Sequence, residues 1–205
     1  LFTRGRTVLP THAPNVQRRF ARVLGERGVA VHCNAEVAGV DATGLTTVDG
    51  QHHHADEVVW VTRAGGAPWL RDTGLALDDS GFIQVTDTLQ TVTDPNVLAA
   101  GDIASMVNHP REKAGVFAVR QGRPLARNLR LSLEDREPQP YRPQRHWLAL
   151  ISTGDQYAVA SRGPVGAEGA ALWRWKDWID RRFMAGFSEL PAMAEPARRR
   201  PGSRV

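Results

Sequence analysis

Apolar positions near the start of the chain recur at helical spacing. Val16, Phe20, Val23 and Leu24 predict a helix, with Asn15 as its cap and Gly25 or Gly28 as its stop. The segments before and after it, Leu1-Phe2-Thr3 and "VAVHC", read as strand. Short β runs follow, broken by Ala-Thr-Gly and Asp-Gly turns. "EVVWVT", residues 57–62, is nearly all apolar and predicts a strand covered on both faces. Further strands are expected at "GFIQV" and "NVLAA". "AGVFAVRQGRPLARNLRLSL" reads as a helix with Val116, Val119, Leu125 and Leu129 on its apolar face. Pro124 is expected to break or kink it near Gly122. "EDREPQPYRPQ" has the composition of a linker. Beyond it lie two strand-like runs, the Gly-rich loop "GPVGAEG" and an amphipathic helix with Leu172, Trp175, Ile179 and Phe183 in one stripe.

Composition narrows the classes. The 205 residues are 41% hydrophobic and 23% charged, an ordinary globular balance. No apolar run approaches the roughly 20 residues that span a bilayer. One cysteine, Cys33, rules out an internal disulfide or a Cys-x-x-Cys pair, and its strand-like surroundings predict a small buried core residue. Residues 1–140 carry 15 Lys and Arg against 16 Asp and Glu, a net −1, whereas residues 141–205 carry 11 against 6, a net +5. The basic character therefore belongs to the last third. Residues 191–205, including "PARRRPGSRV", read as a disordered basic tail. His52, His53 and His54 are adjacent, but neighbouring side chains on an extended segment point to alternate faces, so no metal site is expected there.

Chemistry concentrates in "VLAAGDIASM". The apolar run Val97–Ala100 reads as a strand whose tip carries Gly101 and Asp102. A glycine lets backbone approach a ligand, and an aspartate at a strand tip accepts hydrogen bonds from sugar-like hydroxyls. Ile103-Ala104-Ser105 is expected to open a helix whose amides can face a phosphate. A plain Gly-Asp turn with an aspartate cap explains the same residues equally well.

Context brings a resemblance. "ADEVVWVTRAGGAPWLRDTGLALDDSGFIQV" followed by "TLQTVTDPNVLAAGDIA" resembles the pyridine nucleotide-disulfide oxidoreductase superfamily, flavoproteins with two dinucleotide-binding domains. The likeness covers roughly residues 1–190. It is closest to the branch that lacks the redox disulfide, which includes type II NADH dehydrogenases and sulfide:quinone reductases. "NHPREKAGVFAVRQG", "YRPQRHWLALISTGDQYAVASRG" and "WKDWIDRRFM" resemble the flavoprotein module found fused to selenide, water dikinase. The resemblance implies an α/β fold built of FAD/NAD(P)-binding, Rossmann-like domains, both incomplete, plus a small α+β C-terminal extension. It divides the chain into 1–66, the second half of an NAD(P)H-binding domain; 67–137, the closing half of an FAD-binding domain; and 138–190, the extension. It assigns Gly101 and Asp102 to FAD, and implies Lys113, Ala114 and Gly115 as flavin neighbours at a helix start, with Gln121 further along. Thr62, Arg63 and Ala64 fall near NAD(P)H. Arg4 and Arg6 are candidates for a 2′-phosphate contact.

Two departures stand out. No G-x-G-x-x-G phosphate loop is present, so the chain is expected to be the C-terminal half of a larger flavoprotein and to bind FAD poorly alone. Arg63 stands where the family commonly has Gly, which leaves the nicotinamide-side contacts of that loop open. The activity implied is NAD(P)H-dependent reduction of FAD and then of an acceptor, quinone or another; no catalytic residue is assigned. A non-catalytic interaction domain derived from such a flavoprotein is the alternative. A nucleic-acid module using Trp173, Trp175 and Trp178 is disfavoured, because the basic residues there alternate with acids. The expected location is cytoplasmic, with residues 171–187 offering peripheral contact at the inner face of the membrane.

Overall fold

The computed structural model describes residues 1–62 and 65–189. Arg63, Ala64 and the basic tail expected at 191–205 lie outside the described residues. Two compact units emerge. One joins Leu1–His54 to the segment from Leu148 on, and the other is Ala55–Trp147.

In the first unit, Phe2 forms a parallel bridge with His32, and the expected strand "VAVHC" amounts to this short pairing. The His32 amide donates to Leu1 O and the Thr3 amide to His32 O. The pairing ends there because Asn34 turns left-handed (φ 53°). Cys33, expected in a core, is therefore exposed at the turn. Helix α1 spans Pro14–Glu26 and buries Val16 and Val23. Pro14 rather than Asn15 opens it, since a missing N–H is harmless in the first turn. It stops before Gly28, which adopts φ 72°.

Strands β1 (Val37–Asp41), β2 (Gly44–Thr47) and β3 (His52–His54) form an antiparallel sheet. Their turns fall at the Ala-Thr-Gly and Asp-Gly sequences, and Asp41 Oδ1 accepts both the amide and the hydroxyl of Thr43. The three histidines divide as the alternation requires. His52 and His54 rings approach edge to face, while His53 packs against Phe2 and His32.

The unit is completed by β6 (Ala149–Gly154), β7 (Tyr157–Arg162), β8 (Val165–Gly169) and helix α3 (Ala170–Ser188). The expected Gly-rich loop is in large part strand β8, paired antiparallel with β7 from Ala158↔Gly169 to Arg162↔Val165. Gly166 is required in this strand, because a Cβ there would lie 2.6 Å from Val16 Cγ2. Glu168 binds Arg19 and Arg22 of α1, and Arg27 donates to the carbonyls of Thr153 and Gly154.

The second unit centres on Leu70, Ile83, Val85, Leu89, Ala99, Ala104 and Met106. Strands β4 (Ile83–Val85) and β5 (Ala104–Met106) pair in parallel. Gly66 lies against this region with no space for a side chain, since a Cβ there would sit 1.8 Å from the Gly81 carbonyl oxygen. "EVVWVT" does not form the buried strand its composition predicts. Residues 57–62 are in no strand, and Val59, Trp60 and Val61 are 78%, 57% and 86% exposed. Val97–Ala100 likewise makes only a single bridge, Gln90↔Leu98.

Helix α2 runs unbroken from Gly115 to Leu133 with Pro124 inside it. The expected break at Gly122 is absent. Its buried line is Phe117, Gln121, Asn128 and Leu131. Val119 and Leu129, expected inside, are 54% and 44% exposed. The Pro-rich segment that follows is docked rather than free. Asn128 donates to Thr88 O and Gln139 O and accepts from the Gln139 amide, and the Tyr141 amide donates to Asp87 O.

Leu70 is fully buried at the centre of the second unit. Leu70→Ala is expected to destabilise the protein by about 2–5 kcal/mol, read as a lowered midpoint in denaturant unfolding.

Candidate functional site

The site begins where the chain stops being extended. Ala100 has φ −148° and ψ 166°, and Gly101 then turns to φ 78°. That left-handed value favours glycine at this position. Gly101–Ile103 makes one 3-10 turn, which places the Asp102 carboxylate on the surface. Ile103-Ala104-Ser105 does not open a helix as expected. It leads into β5, where Ala104 and Ser105 are committed to pairing with Ile83 and Gln84. The helix whose first amides are free is α2, and it starts at Gly115.

Asp102 and the α2 start line one shallow recess open to solvent. Gly101, Asp102, Lys113, Ala114 and Gln121 line it together. Gly115 is the first residue of α2, next to Ala114, its cap. These residues, named from the sequence, come from segments roughly ten to twenty positions apart and line one recess. Their polar parts are complementary to a hydroxylated anion. The Asp102 carboxylate accepts hydrogen bonds, the opening amides of α2 donate them, and the helix terminus carries partial positive charge. Thr62 is exposed and in no strand or helix of the same unit; Arg63 and Ala64 lie outside the described residues.

Lys113 turns its ammonium inward. Its Nζ donates to Ala104 O at 2.6 Å and lies 4.0 Å from the centre of the Phe82 ring. Partial burial holds its pKa below the ordinary lysine value, against the attraction of Asp78 and Asp102. Asp78 supports this wall from behind. Its Oδ1 accepts the amides of Ser80 (2.9 Å) and Phe82 (3.0 Å). Burial alone would raise its pKa, but those amides, the Ser105 hydroxyl and the Lys113 charge together hold it below the usual carboxylate range.

Gln121 is buried and its amide is engaged at both ends. Its Oε1 accepts the Gly101 N–H at 2.6 Å, and its Nε2 lies 3.8 Å from Met106 Sδ. Other walls were not singled out by sequence. They include His109, which lies 3.7 Å from Asp87, and Arg111, Phe117 and Pro143. Pro143 arrives from the segment with linker composition, and no local pattern marks its return. Phe117 stacks edge to face on Trp147 at 5.1 Å.

With this geometry in hand, comparison with known proteins places the chain. It belongs to the pyridine nucleotide-disulphide oxidoreductase family, whose profile matches residues 1–122. It is 28% identical over 201 residues to an NADH dehydrogenase-like protein of Mycobacterium tuberculosis, covering 89% of this chain and 50% of that protein. It is 27% identical over 192 residues to the type II NADH:quinone oxidoreductase Ndh of the same organism, covering 88% and 41%. Among solved structures, the sulfide:quinone oxidoreductase of Aquifex aeolicus superposes with a TM-score of 0.75 at 14% identity, over 100% of this chain and 57% of that one. The fold is therefore the Rossmann-like α/β fold expected from sequence. The chain spans about half the length of the curated relatives it matches.

The Asp78 carboxylate has a pKa lowered by folding, so it adds stability above the unfolded carboxylate pKa and loses it as pH falls through the lowered folded value. Asp78→Asn is expected to destabilise the protein by about 1 kcal/mol at pH 7. The difference from wild type should shrink progressively with acidification below about pH 4, measured by urea unfolding across pH.

Proposed function

We propose that the chain forms the C-terminal portion of an FAD-dependent NAD(P)H oxidoreductase. The observation that carries this reading is the recess in which Asp102, left-handed Gly101 and the opening of α2 face one another. Membership of the family and the oxidoreductase relatives described above support it. On this reading residues 1–66 belong to the NAD(P)H-binding domain, 67–137 to the FAD-binding domain and 138–190 to the extension.

When bound, FAD supplies the hydride- and electron-accepting chemistry. The chain's own residues hold and tune it. Asp102 would accept hydrogen bonds from its polyol hydroxyls, and Gly101 would leave room for close approach. The free amides of Gly115 and Val116, with Lys113 beside them, offset negative charge next to the helix start. A Cβ at Gly115 would meet nothing within 4 Å, so the space beside the helix start is open. Thr62, Arg63 and Ala64 lie on the NAD(P)H side.

Quinone is the acceptor we favour, supported by the name of the Mycobacterium relative Ndh and by the surface of α3. Trp175, Trp178, Phe183, Met184 and Phe187 are exposed there, with Arg181 and Arg182 among them. Such a helix suits an interfacial position at the inner face of a membrane. Among the described residues, no helix is long and apolar enough to cross one. Leu172 and Ile179 of the expected stripe are partly covered, whereas Trp175 and Phe183 face outward. The likeness to the module fused to selenide, water dikinase supports a place beside that enzyme, fused or associated.

The protein carrying this chain, purified without added cofactor, is expected to show the yellow flavin absorption and to bleach anaerobically with NADH or NADPH. A colourless protein that stays colourless with FAD overturns the reading in favour of a non-catalytic partner surface. Asp102→Ala is expected to weaken FAD binding about tenfold or more, the loss of hydrogen bonds to a charged acceptor, measured by flavin fluorescence.

A further inference from the structure

Gln121 stands on the buried line of α2, where an apolar side chain would be unremarkable. Each polar atom of its amide has a partner within the protein. Oε1 takes the Gly101 N–H at 2.6 Å, and Nε2 is turned toward Met106 Sδ. The partner on the other side is equally particular. Gly101 has φ 78° and begins the single turn that presents Asp102. A turn of three residues has little hydrogen bonding of its own to hold it, and the Ala104 amide returning to Gly101 O is its only closing bond among the cap contacts. The Gln121 bond anchors the turn's first amide. It also joins two segments that lie twenty positions apart and form facing walls of the recess.

We infer that Gln121 is a positioning residue, not a ligand: it latches the Gly101–Asp102 turn to helix α2 and so sets the separation of the Asp102 carboxylate from the helix start. This rests on the cofactor reading above and deepens it, by naming the contact that couples the two halves of the FAD site. Removing the acceptor leaves a partly buried N–H unpaired in the folded state. The turn is then free to leave its left-handed conformation, and Asp102 moves with it. A Cβ at Gly101 would meet the Ala118 Cβ at 3.7 Å, an ordinary contact. Gly101→Ala therefore strains the turn through its backbone angle rather than by a clash.

The test is a double-mutant cycle in the protein carrying this chain, with the FAD dissociation constant read by flavin fluorescence. Gln121→Leu is expected to weaken FAD binding about tenfold or more. Gln121→Glu, which keeps an acceptor oxygen at the same reach, is expected to restore most of that loss. The KM for NAD(P)H should be unchanged in both. Gly101→Ala should also weaken FAD, and the double variant Gln121→Leu with Gly101→Ala should be much less affected than the sum of the two losses. Should Gln121→Leu fail to fold, Gln121→Asn carries the same test, because its shorter amide cannot reach the Gly101 N–H. Wild-type affinity in Gln121→Leu, or strict additivity in the cycle, overturns the latch. Failure of the wild-type protein to bind FAD at all overturns the cofactor reading itself, a separate result.

Discussion

The candidate site depends on one backbone conformation. At Gly101 the chain leaves an extended path and turns left-handed, a step that costs an ordinary L-residue roughly 1 kcal/mol or more. Without that reversal Asp102 would continue along the extended line instead of standing at the recess. β5 could not then come back to lie parallel to β4, which it meets at Ile83↔Ala104 only three residues later. The same glycine thus serves the sheet and the site. The Gln121 amide, buried in α2, meets its N–H.

This arrangement explains which parts were legible in the sequence. Gly101 and Asp102 stand out in the sequence because a glycine and a carboxylate close an apolar run, whereas Lys113, Ala114 and Gly115 enter through the family resemblance. The inner face of α2 was misread for a related reason. Apolar spacing pointed to Val116, Val119, Leu125 and Leu129, yet two of the four positions buried on that helix are amides, Gln121 and Asn128. Both are buried because they satisfy backbone groups across the unit, and hydrophobic periodicity is blind to that work. Asn128 also accounts for the docked Pro-rich segment. Its composition reads as a spacer, but its backbone is held from a distance by the Asn128 amide and by the Tyr141 N–H on Asp87 O.

Elsewhere local pattern and tertiary pairing part company. Residues 57–62 have the composition of a strand buried on both faces, and that remains a sound reading of their chemistry. Burial is not a property of a segment alone, however. It requires neighbours on both edges and both faces, and among the described residues no strand lies beside it. "VAVHC" fails more mildly, because one bridge to Phe2 is all the pairing the turn at Asn34 allows. Cys33 is carried to the surface by that same turn.

The first unit is discontinuous, and this governs how the chain reaches its fold. Ala55–Trp147 closes on itself through contacts within one continuous stretch. Leu1–His54 has no such independence, since α1 packs on strands β7 and β8, which are made more than a hundred residues later. Val16 is fully buried beneath Gly166, and Arg19 and Arg22 await Glu168. During synthesis α1 is therefore made before the strands that cover Val16, and it meets them only after the whole intervening unit has emerged. At roughly 5–20 residues per second that interval lasts many seconds. Helix α1 is thus the element of this unit that waits longest for the strands it packs on.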